Sequence, residues 1–141
     1  MSGLTKPSER LREYVEPAFR EYLQNPLSQR HANILAGELD NHLEWTYKYH
    51  QQVDPSRLNG ATLTSFRTEL LNQHRALQVI SDLADAARHR YLDRAHDPPR
   101  VVTLSTAAYY EEAGVLHVKG FDSLFSYEAT KAFEFWRNWR D

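Results

Sequence analysis

The chain has no cysteine, only five glycines and one methionine, and four lysines against thirteen arginines. Each shortage closes a class of function. Without cysteine there is no disulfide, no thiolate metal centre and no cysteine nucleophile. The glycines form neither G-x-G-x-x-G nor a Walker-type loop, so a backbone cradle for phosphate is not expected. G-x-S-x-G is absent, which removes the hydrolase elbow. No apolar run approaches the roughly 18 residues of a membrane span. The opening M-S-G-L-T-K-P-S-E-R lacks the apolar core of a secretory signal. A cytoplasmic domain without membrane contact is therefore expected.

What is present describes an ordinary globular chain. Its 141 residues suit one domain, and 41% hydrophobic residues with 12% aromatics supply one core. A formal net charge of -2 gives no global attraction to nucleic acid, so such binding would need a local patch.

Periodicity predicts a mainly α, α+β fold: a helical bundle over 8–96, a β-hairpin over 100–120 and a closing helix over 122–140, all within a single domain, 1–141. Ser8 is placed to cap the first helix, where Leu11, Tyr14, Val15, Ala18, Phe19, Tyr22 and Leu23 share a face and Pro17 forces a kink or a break. Ser28 caps the second, about 28–52, with Ile34, Leu35, Leu39, Leu43, Trp45, Thr46 and Tyr49 in a broad stripe. Helices follow over about 63–73 and 76–92, and the absence of Gly or Pro between them allows one long helix bent near His74. Asp97-Pro98-Pro99 ends the helical part. Strands are expected over 101–110 and 115–119, joined by E-E-A-G, with the last helix over about 126–140.

Three constellations carry possible chemistry. Glu38 and His42 are four apart, as are Asp85 and His89, so each pair can approach one ion from a single helix. This supports a metal-bound bundle as a minor alternative, although Asp82, Asp85 and His89 fall opposite the Leu77–Ile80–Ala84 stripe. Arg88, His89, Arg90 and Arg94 form a basic patch. Asp82, Asp85 and Asp93 interleave with it at helical spacing, which reads as a solvated mixed-charge face. Finally, Tyr109, Tyr110, Phe121, Phe125, Trp136 and Trp139 crowd the hairpin and closing helix, where they either fill the core or meet a partner.

The order of elements resembles the small helical HEPN superfamily. The segment Asp82-Leu83-Ala84-Asp85-Ala86-Ala87-Arg88-His89 is similar to an Asp-Ile-x-Asn-Ala-x-Lys-His motif on the fourth helix of a group of uncharacterised bacterial proteins, with Asp85 for the asparagine and Arg88 for the lysine. The resemblance implies a binding or assembly module, working with a protein partner or as a homodimer and needing no cofactor. Asp85, Arg88, His89, Trp136 and Trp139 are its expected contact residues. As an alternative it implies a metal-independent ribonuclease. HEPN nucleases place four to six residues between an arginine and a following histidine, and Arg90/His96, with five between, or Arg67/His74, with six, fit that pattern. The histidine would then manage a proton at the ribose and the arginine would stabilise phosphorane charge. Chance supplies about two such spacings in a chain of this composition, so the reading favours binding over catalysis.

Overall fold

A computed structural model describes residues 4–94 and 108–141, with 89–94 and 108 described as backbone only. The chain opens on α1 (Pro7–Arg10), a π turn (Leu11–Val15) and α2 (Glu16–Gln24), followed by α3 (Gln29–Val53) and a 3₁₀ turn (Pro55–Leu58). Next come α4 (Leu63–Gln73), α5 (Arg75–Arg94), β1 (Ala108–Glu112), β2 (Val115–Lys119), β3 (Ser123–Leu124) and α6 (Phe125–Arg137). The class is α+β, mainly α. No described helix is long and apolar enough to cross a membrane.

The first helix starts two residues earlier than Ser8 as its cap implies, and Tyr14 and Leu23 of its expected face are exposed. Pro7 occupies its first turn, where a missing N–H costs nothing. Ser8 is itself capped: its backbone N–H donates to the Asp141 carboxylate at 2.9 Å, and its hydroxyl also bonds that group. Pro17 does not break the segment. Glu16 N–H reaches back to the Leu11 carbonyl, five residues away, and this wide turn carries the helix through the proline.

α3 is the central strut. Ser28 caps it by accepting from His31 N–H at 3.2 Å. Leu35, Leu39, Leu43 and Thr46 are buried as the stripe predicted, but Ile34 is 41% exposed and Trp45 only half-buried. The α4–α5 bend falls at His74, whose extended φ -132°, ψ 101° separates two helices. Thr62 and Ser65 start α4 with reciprocal bonds.

β1 and β2 pair antiparallel around Ala113-Gly114, both with positive φ (56° and 75°), the geometry of a primed hairpin turn. Leu116 and Val118 point inward while His117 and Lys119 point outward. The short β3 was not foreseen; it adds to β2 through His117–Leu124 and Val118–Ser123. Residues 101–107 of the expected first strand lie outside the described residues. One continuous core joins Leu11, Val15, Leu35, Leu39, Ile80, Leu83, Val118, Phe125, Ala132 and Trp136.

Candidate functional site

Four polar clusters are built into this frame; three are held by hydrogen bonds within themselves, although His42 Nε2 in the second is buried with no hydrogen-bond partner among the described residues. The first joins α3, α4 and α5. Asp40, 6% exposed, accepts from Arg67 and, at 2.9 Å, from Arg88. Arg67 also donates to Ser81 Oγ at 2.8 Å, and Arg88 bonds Asp85. The carboxylate hydrogen bonds hold the Arg88 guanidinium above its usual pKa, although burial alone would lower it. The face expected to be solvated thus reaches α3 through Arg88. Asp82 lies beside it, its carboxyl raised by burial and bonded by Gln78 at 3.0 Å.

The second cluster surrounds Arg10, which is 9% exposed. Its guanidinium donates to His42 Nδ1 at 3.1 Å and sits 3.4 Å from Glu38 Oε2. The Tyr14 and Trp45 rings flank it. Glu38 and His42 thus converge, as their spacing suggested, and the cation between them is an arginine. Burial, with Arg10 adding to it, drives the His42 pKa down to about 3. Since Arg10 donates to Nδ1, the ring proton lies on Nε2, and the ring meets Trp136 edge-on at 5.0 Å. Among the described residues no three His, Asp or Glu side chains are placed to share a metal ion.

The third cluster is His50, fully buried between Asp54 and Trp139. Trp139 in turn carries the Arg57 guanidinium 4.7 Å from its ring centre. Trp136 is 2% exposed and belongs to the core, as do Phe125 and, in part, Tyr109, Phe121 and Trp139. Of the six crowded aromatics Tyr110 is 39% exposed, and it stacks on His117 at 4.9 Å.

The fourth cluster is open. A cleft of about 310 Å³ lies between the α4–α5 bend and the start of α6, with Arg75, Glu128 and Lys131 among its walls. His74 also lines it and packs on Phe135 with ring centres 4.4 Å apart. Its base is Glu128, 3% exposed, with Oε2 buried and no hydrogen-bond partner among the described residues. Burial raises the Glu128 pKa, and the positive charge of Arg75 opposes the shift.

The Arg67/His74 pair does not assemble into one site: Arg67 turns towards Asp40 and Ser81, and His74 towards Phe135. The side chains of His89 and Arg90, and His96 as a whole, lie outside the described residues. Sequence reasoning missed Arg10, Asp40, Arg75, Glu128 and Lys131. The available signal was an acid on an apolar stripe: Asp40 falls between Ala36 and Leu43, and Glu128 between Phe125 and Ala132.

No protein-family model, curated protein or solved structure matches this chain.

Proposed function

We propose that the protein is a non-enzymatic binding module whose ligand enters the cleft between the α4–α5 bend and α6. The observation that carries this reading is Glu128, a buried carboxyl with an unpartnered oxygen at the base of a cleft. Burying such a group unpaired is destabilising, and an apolar residue of similar size would remove the cost. Groups kept against that cost concentrate at functional sites. The cleft volume lies near the lower end for small-ligand sites, and its mixture of apolar wall and a few polar heads suits one.

The expected contact residues Asp85, Arg88 and Trp136 are less suited, because the first two are paired within the fold and the third is in the core. Ribonuclease chemistry needs a guanidinium and an imidazole facing one substrate. The described pair, Arg67 and His74, faces two different neighbours.

The test is a pool of small polar fragments added to isotope-labelled protein and mapped by amide chemical shifts. Saturable shifts confined to 73–77 and 127–135 are expected. Shifts centred elsewhere, or none, would reject the reading.

A further inference from the structure

The cleft's charges select its ligand. Arg75 and Lys131 are both exposed cations on its walls, and Glu128 is the one acid lining it. Arg75 is anchored by donating to the Phe121 carbonyl at 2.6 Å, which engages one of its five donors. Lys131 sits 5.6 Å from the centre of the Tyr127 ring and makes no ion pair among the described residues. Two cations face at most one carboxylate, so the local field favours an anion over a cation.

Resting on the binding reading above, we infer that the ligand presents an oxyanion, carboxylate or phosphate, to Arg75 and Lys131, with Glu128 beneath it as a protonated hydrogen-bond donor. A protonated carboxyl has one O–H to give, and an incoming oxyanion is an acceptor. Burial already favours the neutral acid. A bound anion beside it favours that form further, so binding takes up a proton wherever Glu128 is ionised in the free protein. The titratable groups lining the cleft with Glu128 are Arg75 from α5, His74 from the bend, and Tyr127 and Lys131 from α6, and Arg75 is the charge that acts on its carboxyl. None of them is an acid that would repel the anion.

The experiment titrates the whole protein at constant ionic strength with sodium phosphate, sodium acetate, sodium chloride and guanidinium chloride, read by amide shifts at 73–77 and 127–131. Saturable shifts with phosphate or acetate are expected, and not with chloride or guanidinium. Response to both supports the shared oxyanion chemistry; response to one alone supports it and identifies the source as phosphoryl or carboxyl. Arg75→Gln and Lys131→Gln should each weaken binding about fivefold, since both cations are exposed. Glu128→Gln retains a donor at every pH, so its phosphate affinity should fall less with rising pH than that of the native protein. Guanidinium saturating the cleft while the anions do not, or Glu128→Gln abolishing phosphate binding at pH 5, would overturn the inference. Fragments that occupy the cleft while both anions fail would overturn it and leave the binding reading standing. Failure of fragments and anions alike would remove both.

Discussion

The indole N–H of Trp139 donates to His50 Nε2 at 3.0 Å, across 89 residues of chain. The acceptor nitrogen must be bare, so the ring proton sits on Nδ1 and donates to Asp54 Oδ1 at 2.7 Å. One relay thus ties the segment following α6 to the end of α3. Trp139→Phe keeps most of the ring but leaves a buried acceptor unmet. A loss of about 1–2 kcal/mol in urea unfolding is expected. No change would mean that the indole contributes area alone.

The Asp40 cluster should be asymmetric. Its carboxylate is 4% exposed and serves two helices, whereas the Arg88 side chain is 46% exposed. Asp40→Ala leaves both guanidinium groups without their shared acceptor and should cost about 2–3 kcal/mol. Arg88→Ala removes a half-solvated partner while Arg67 remains, and should cost under about 1 kcal/mol. Denaturation midpoints of the two variants test this order, and equal losses would contradict it.

His42 sets an acid limb. Its folded pKa of about 3 lies below the ordinary 6.5, so the unfolded chain takes up a proton in that window and the native protein does not. The stability present above pH 6.5 therefore falls as pH drops towards 3, with a slope approaching about 1.4 kcal/mol per pH unit. His42→Phe keeps a ring against Trp136 and should flatten the profile between pH 6 and 4.5. An unchanged slope in that variant would assign the limb to other groups.

Catalysis is separable from binding. Purified protein should leave single-stranded RNA intact over hours. Cleavage that disappears in His96→Ala or in His74→Ala, and not in the other, would instead name a ribonuclease site.

The helices were readable because their apolar residues recur at helical spacing and Ser28 marks the start of the longest one, whereas the Thr62 cap of α4 went unread. The hairpin was readable from the alternation of Leu116 and Val118 with His117 and Lys119 and from Gly114. β3 was not, because two residues hold no periodicity, and its turn depends on positive φ at Gly120 and Asp122. The π turn was hidden because Pro17 announces a lost donor without saying how the backbone absorbs it. The cleft was missed for a different reason. It forms where His74 and Arg75, at a helix break, meet Glu128 and Lys131 from more than fifty residues later, and no local spacing encodes that meeting. Glu128 was nonetheless visible as an acid on the Phe125–Ala132 stripe.

The most direct test compares fragment-induced amide shifts in the native protein and in Glu128→Met. Methionine fills similar volume and removes the unpaired carboxyl, so the variant should stay folded and gain about 1 kcal/mol at pH 7. The account predicts shifts at 73–77 and 127–135 in the native spectrum and none there in the variant. Identical shifts in both proteins would contradict the claim that Glu128 and its cleft are the binding site.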